Sequence, residues 1–253
     1  QILIYVGILA AVLLSIVSKI KRIPILRNDI YGNKLFITRS FADMIAAVLI
    51  VTAISLMPLS TVSSILQTVP LFITFGVVLI FKESVGWRRW SAVSIGFVGV
   101  ILILKPGLSS FHLSSLIALL GVAFLALRDI VTRKISKDIH SITVSLYAFI
   151  LTTVGGIISI PFFGNFVTLT ITQWFVVLTI TLFGCFSYLM LVLATRRGDM
   201  SVISPFRYTR LIFALILAIL FLKERPDNLT LFGATIIVAS GYYTLWREKV
   251  RGV

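Results

Sequence analysis

An all-α, polytopic membrane protein is the fold class this sequence predicts, and three observations predict it. Of its 253 residues, 58% are hydrophobic and only 13% are charged, whereas a soluble domain carries about 25% charged residues. Residues 1–18, 44–81, 139–195 and 229–246 contain no Asp, Glu, Lys or Arg at all. A hydrocarbon core about 30 Å thick is crossed by roughly 20 residues of helix, so these stretches cross it once or twice each. Finally, residues 57–83 and 198–224 repeat one pattern. At an offset of 141, Ser60 falls on Ser201, Val62 on Ile203, Gln67 on Tyr208 and Lys82-Glu83 on Lys223-Glu224. With one further residue of slip, Trp90, Ser91 and Gly99 fall on Phe232, Gly233 and Gly241. Duplicated halves of a membrane chain commonly build a transport path between them. A β-barrel is excluded by run length, since its segments alternate over about ten residues.

Nine spans follow from these runs. The first, 2–18, lacks the basic flank of a signal peptide, and a tenth helix is expected to precede it. Span 35–56 begins after the basic cluster ending at Lys34 and carries Arg39 and Asp43. Met57-Pro58-Leu59 turns the chain into span 60–81, which contains Gln67 and Pro70. Spans 88–105 and 113–133 flank Lys105-Pro106-Gly107. Pro161-Phe162-Phe163-Gly164-Asn165 separates 141–161 from 173–194, and 200–222 and 229–247 complete the set. Trp87, Trp90, Trp174 and Trp246 fall at span ends, where indoles favour the membrane interface.

The net charge of +14 does not indicate a nucleic-acid partner, because the basic residues lie between apolar spans. Alternate connections hold 16 and 3 Lys or Arg. The rich set comprises Lys19, Lys21, Arg22, Arg27, Lys34, Lys82, Arg88, Arg89, Arg133, Lys134, Lys137, Arg196, Arg197, Arg247, Lys249 and Arg251; the poor set is Lys105, Lys223 and Arg225. The positive-inside rule makes the rich set, and with it the C-terminus, cytoplasmic. Lys82-Glu83 and Lys223-Glu224 then lie on opposite sides. The chain therefore reads as an inverted repeat of five-helix bundles, with residues 1–107 forming the first (lacking its first helix) and 108–253 the second. Nine of an expected ten spans are visible. The single Cys185 gives no disulfide or metal framework, and no phosphate-loop, HExxH, CxxC or Gly-x-Ser-x-Gly pattern occurs. No cofactor, metal or catalytic residue is expected.

Leu59-Ser60-Thr61-Val62 leading to Lys82-Glu83, then Gly86-Trp87-Arg88-Arg89-Trp90 and Gly96-Phe97-Val98-Gly99-Val100, resemble the EamA-type ten-helix members of the drug/metabolite transporter superfamily. So do Ser204-Pro205-Phe206-Arg207-Tyr208, Lys223-Glu224-Arg225-Pro226, Gly233 and Gly241 in the second half, and Arg128-Asp129-Ile130-Val131-Thr132-Arg133 between. The resemblance implies two inverted five-helix repeats, a central cavity opened alternately to each side, and small organic solutes, exported in many members. It also implies a bacterial inner-membrane location.

Polar residues inside the spans are the candidate site. A cation at the bilayer centre costs at least about 2.5–3.5 kcal/mol on insertion scales, so it should face water or an anion. Arg210 and Arg207, one turn apart in span 200–222, fit that requirement or else snorkel to the headgroups. Asp43 is the deep carboxylate. It pairs with Arg39 at i, i+4, or reaches across a cavity to Arg207 or Arg210, or takes up a proton. Gln67 and Tyr208, at equivalent positions in the repeat, can hydrogen-bond a solute or pack between helices. Tyr188 is a further candidate for the lining, with packing between helices the favoured alternative. Pro70 and Pro205 can kink their helices as gating elements. Glu83 and Glu224 serve as symmetry-related gate contacts or as interfacial ion pairs with their adjacent lysines.

The function expected is secondary-active transport of small polar or amphipathic metabolites, amino acids or related solutes, by alternating access and in the export direction. Proton coupling is open, as is the choice between monomer and homodimer. The alternatives are a membrane-embedded enzyme acting on lipid-linked substrates, for which the loops supply no acidic or histidine cluster, and a channel.

Overall fold

The computed structural model describes the backbone of residues 1–25, 28–81, 87–104, 114–163, 166–197 and 200–251. Within these it describes all side chains except those of 28–29, 77, 80–81, 87–89, 92–93, 163, 197, 200–209, 241, 244–245 and 247–251. The described residues form helices and no strand. In chain order they are α1 (Ile2–Ile20), α2 (Asn28–Tyr31), α3 (Lys34–Leu56), α4 (Leu59–Leu66), α5 (Val69–Phe81) and α6 (Trp87–Leu104). There follow α7 (Ser114–Lys134), α8 (Ser141–Ile158), α9 (Ile160–Phe163), α10 (Ile171–Arg197), α11 (Met200–Leu222) and α12 (Asn228–Arg251).

Among the described residues, six helical stretches are long and apolar enough to cross a membrane: Ile2–Ile20, Lys34–Leu56, Leu59–Gly76, Ser114–Lys134, Ser141–Phe162 and Ile171–Arg196. Ser94–Leu104, Arg210–Leu222 and Asn228–Ser240 are shorter apolar helices. Each falls on one predicted span. The chain is thus an all-α polytopic membrane protein. Large apolar side chains point outward on it, with Phe183 of α10 73% and Phe221 of α11 76% exposed. Such a surface suits acyl chains and would be a liability in water.

Local chemistry explains the element ends. α1 stops where Arg22 adopts φ 54°; the Ile23 amide then closes on Ser18 O (2.9 Å) and the Arg22 amide on Lys19 O (3.2 Å). This is a Schellman turn with arginine in the position glycine usually takes. α8 starts at His140, whose Nδ1 accepts the Ile142 amide (3.2 Å). The predicted span 60–81 is in fact two helices, α4 and α5, parted at Gln67–Thr68. Pro70 accounts for the break. It has no N–H for the Leu66 carbonyl four residues back, and its ring crowds that carbonyl. It sits instead in the first turn of α5, where proline is tolerated.

The chain forms two compact units, one of residues 1–48 and 131–198 and the other of 49–130 and 199–253. Each draws on both sequence halves, so the packing division differs from the expected repeat division at 107/108. In the first unit α1 lies close against α8. A Cβ on Gly7 would meet Phe149 O at 2.9 Å, and one on Gly156 would meet Ile4 Cγ1 at 2.8 Å. Ala10, Leu14, Ile142, Leu146, Phe149 and Cys185 fill the core beside them. Lipid is as apolar as leucine, so association in a bilayer rests on such close packing more than on hydrophobic transfer.

In the second unit α6 packs on α12 about a reciprocal pair of glycines. A Cβ on Gly99 would meet Gly233 O at 2.7 Å and Ile237 Cγ1 at 2.8 Å; a Cβ on Gly233 would meet Gly99 O at 2.7 Å and Ile103 Cγ1 at 2.8 Å. Gly96 approaches Ser240 Oγ in the same sense. As residue numbers rise along α6 those of its neighbours fall along α12, so the helices run antiparallel. Val62, Ile65, Val100, Ile103, Val122 and Ile237 are buried in the surrounding core.

Candidate functional site

Two polar sites lie inside the apolar helices, one in each unit. In the first, Arg39 and Asp43 stand at i, i+4 on α3, a spacing that puts both on one face. Arg39 is 0% exposed and Asp43 5%, and their charges lie 3.8 Å apart (Nη2 to Oδ2). Tyr188, from α10, completes the pair. Its phenol donates to Asp43 Oδ2 and accepts from Arg39 Nη2. The guanidinium also lies 5.8 Å from the centre of the Tyr188 ring, within cation–π range.

The remaining Arg39 donors find neutral partners. Nη1 reaches Val144 O on α8 (3.1 Å), and Nε reaches Thr132 Oγ1 at the end of α7 (3.4 Å). A buried ion pair offsets its desolvation only when its other donors and acceptors are satisfied, and helices α3, α7, α8 and α10 together meet that condition. Of the pairings open to Asp43 in the sequence, the one with Arg39 is formed. Thr132 lies in the Arg128–Arg133 segment that carries the family resemblance, but nothing in the sequence marked its hydroxyl or the Val144 carbonyl as a partner of Arg39. Ser40, Ser145 and Thr195 are buried hydroxyls with no hydrogen-bond partner among the described residues. Each costs about 1–3 kcal/mol unless it is solvated.

In the second unit the break between α4 and α5 is the focus. Gln67 is 1% exposed and Thr68 0%. The chain tightens before the break, the Gln67 amide closing on Ser64 O (3.1 Å) and the Thr68 amide on Ile65 O (2.9 Å). Arg210, from α11, donates through Nη2 to Leu66 O at 3.2 Å, the carbonyl that Pro70 leaves without its helical donor. Arg210 itself keeps exposed surface.

Glu224 follows α11 at the same unit's edge. Lys223 takes φ 55°, and the Glu224 carboxylate turns onto the start of α4. It accepts the Leu59 amide (Oε1, 2.8 Å) and the Ser60 amide (Oε2, 2.9 Å). The first amides of a helix lack intrahelical acceptors and carry its positive dipole end, so a carboxylate there is doubly suited. Burial pushes the Glu224 carboxyl up, but the Ser60 amide, the Ser60 hydroxyl and the Leu59 amide together hold it below the usual carboxylate value. Leu59 and Ser60 open one repeated segment and Glu224 closes the other. With Arg210 on Leu66, they show α4 and α11 running antiparallel.

Arg128 and Asp129 pair within α7 (Nη2 to Oδ1, 2.9 Å), as their adjacency predicts. The side chains of Arg207, Tyr208 and Pro205 lie outside the described residues, as does Glu83 entirely. No group of three or more His, Cys, Asp or Glu positioned to hold a metal occurs among the described residues. The structure therefore brings together Arg39, Asp43 and Tyr188 in one site, and Pro70, Gln67 and Arg210 about one helix break in the other.

Comparison with known proteins agrees with this architecture. The S-adenosylmethionine uptake transporter of Rickettsia bellii is 28% identical over 228 residues, 87% of this chain and 77% of that protein. A riboflavin transporter of Vibrio cholerae is 28% identical over 192 residues, 74% of this chain and 62% of its own length. The pseudopaline exporter CntI of Pseudomonas aeruginosa is 24% identical over 212 residues, 83% and 74% of the two chains. A protein of known crystal structure shares the fold at a TM-score of 0.68 and 13% identity, covering 96% of this chain and 84% of its own. The EamA-like transporter family matches residues 1–105 and 112–246; the chain belongs to that family and is a multi-pass transporter of a bacterial membrane.

Proposed function

We propose that this transporter is a secondary-active carrier of amino-acid-derived zwitterions, with S-adenosylmethionine the first candidate, working by alternating access between two inverted repeats. The observation that carries the substrate class is the buried Asp43–Tyr188–Arg39 cluster. A carboxylate and a phenol inside a span can receive the ammonium or sulfonium of such a solute; Arg210, in the second unit, is proposed separately as a guanidinium suited to a solute carboxylate. Arg207, Tyr208 and Gln67 remain proposed lining residues. The names of the Rickettsia relatives support the adenosyl amino acid within that class.

The inverted relation of the repeated helices is supported by packing within the second unit, while the boundary at 107/108 and a cytoplasmic C-terminus rest on the sequence repeat and on the distribution of basic residues. Helices related by the sequence repeat, α6 with α12 and α4 with α11, run antiparallel there. Glu224, and by the repeat Glu83, are proposed as gate contacts. Asp43 is the proposed coupling group should transport be linked to protons.

Direction follows the gradients of solute and coupling ion. Similarity to the S-adenosylmethionine relatives favours uptake, whereas export, which the family resemblance implies, is the second reading and is favoured by the pseudopaline relative. The test is counterflow in proteoliposomes preloaded with unlabelled solute. Labelled S-adenosylmethionine should enter with saturable kinetics and be competed by methionine derivatives. Absence of saturable counterflow with S-adenosylmethionine, amino acids and riboflavin alike would overturn the proposal. Linear, unsaturable flux would indicate a channel, and a chemically altered product an enzyme.

A further inference from the structure

We infer that Pro70 is a positioning residue for solute recognition, acting through the Leu66 carbonyl on Arg210. In a continuous helix the residue-70 amide would bond to Leu66 O. Proline has no such amide, and the helix parts at Gln67–Thr68 with Leu66 (9% exposed), Gln67 (1%) and Thr68 (0%) all inside the protein. A buried carbonyl without a donor is costly. Neighbouring hydroxyls serve other carbonyls of the break: Thr68 Oγ1 donates to Ile65 O (2.7 Å) and Thr74 Oγ1 to Pro70 O (3.1 Å). The Leu66 carbonyl takes a hydrogen from Arg210 Nη2 (3.2 Å).

The consequence lies with Arg210. A long, rotamer-rich side chain is expensive to order, and a guanidinium recognises a carboxylate best when its plane is fixed beforehand. The bond to a rigid main-chain oxygen restrains that plane, and a guanidinium carries five donors, more than one acceptor uses. The proline missing its amide thus holds the cation ready for an anion. The ligand class is a solute carboxylate. The step rests on the reading of Arg210 as the carboxylate partner, and the experiment separates the two.

The full chain is purified as wild type, Arg210→Ala, Pro70→Ala and the double variant. A ligand-independent arm measures melting temperature. Arg210→Ala should lower it more in the wild-type background than in the Pro70→Ala background, where a restored amide serves Leu66. Equal losses in both backgrounds would overturn the inference. The functional arm measures half-saturation in proteoliposomes for S-adenosylmethionine and for its decarboxylated analogue. Pro70→Ala should raise the value for the carboxylate probe about tenfold, the scale of one charge-assisted hydrogen bond, with little change in maximal rate or for the analogue. Arg210→Lys should recover part of the Arg210→Ala loss. If Arg210→Ala does not change the preference between probes, the reading of Arg210 fails while the thermal arm still judges the link to Pro70. If Arg210→Ala abolishes the preference and Pro70→Ala leaves it intact, the inference fails alone. Pro70→Gly, which also restores the amide, replaces Pro70→Ala should that variant fold poorly.

Discussion

The Arg39 cluster and the α4/α11 contacts hold charge inside the same chain in different ways. Around Arg39 the partners are largely side chains: a carboxylate, a phenol and a hydroxyl, with one carbonyl. At α4 the partners are main-chain groups that a helix cannot satisfy itself. Its first amides take Glu224, and its last carbonyl, freed by Pro70, takes Arg210. In the first case the charges solvate one another, and removing either strands the other. In the second, the charges solvate defects of the backbone, and removing one exposes a dipole. The first arrangement should therefore be rigid and costly to disturb. The second is suited to contacts that form and break during transport.

Substitutions can break this contrast. The largest effect is expected from Arg39→Ala or Asp43→Ala. Each leaves an uncompensated buried charge and should cost about 3–5 kcal/mol in the unfolding free energy measured in micelles. The double replacement Arg39→Met with Asp43→Leu should cost far less than the two single changes summed. If the single changes cost no more than those at Glu224, the distinction between the sites is lost. Tyr188→Phe comes next. It keeps the ring over the guanidinium but removes the bridging hydroxyl, for about 1.5–3 kcal/mol, read in the same unfolding assay.

Glu224→Gln should cost about 1 kcal/mol, the scale of a helix cap, and it also sharpens the comparison through pH. The folded-state pKa of Glu224 lies below its ordinary value. Its stabilising contribution is therefore complete above the unfolded carboxylate pKa, near 4.3, and is lost as pH falls through the lower, folded value. The difference in stability between wild type and Glu224→Gln should shrink on acidification below about pH 4. A difference that grows there would show that the cap is not what the carboxylate contributes. Pro70→Ala has the smallest expected effect on stability, since the gained amide and the lost contact with Arg210 offset each other.

Much of this was legible in the residues. Arg39 and Asp43 share a helix face because 3.6 residues make a turn, and that spacing is visible without any structure. Pro70 likewise announces trouble for the helix, although the sequence suggested a kink where the chain makes a full break. Glu224 shows the limit. Its neighbour Lys223 suggested a local ion pair, but the carboxylate turns to amides 164 and 165 residues away. Tyr188 looked like a minor lining residue, yet it is the bridge on which the Arg39–Asp43 site closes.

Charge-free length measured against the thickness of a bilayer made this chain an all-α membrane protein, and the duplicated segments predicted two related halves. Those properties depend on neighbours along the chain, where composition and period are enough. Which group answers Arg39, which carbonyl receives Arg210 and which helix start Glu224 covers depend on partners from 93 to 165 residues distant. Such partners are chosen by how helices pack and by the need to leave no buried dipole alone, and packing leaves no periodic mark in a sequence.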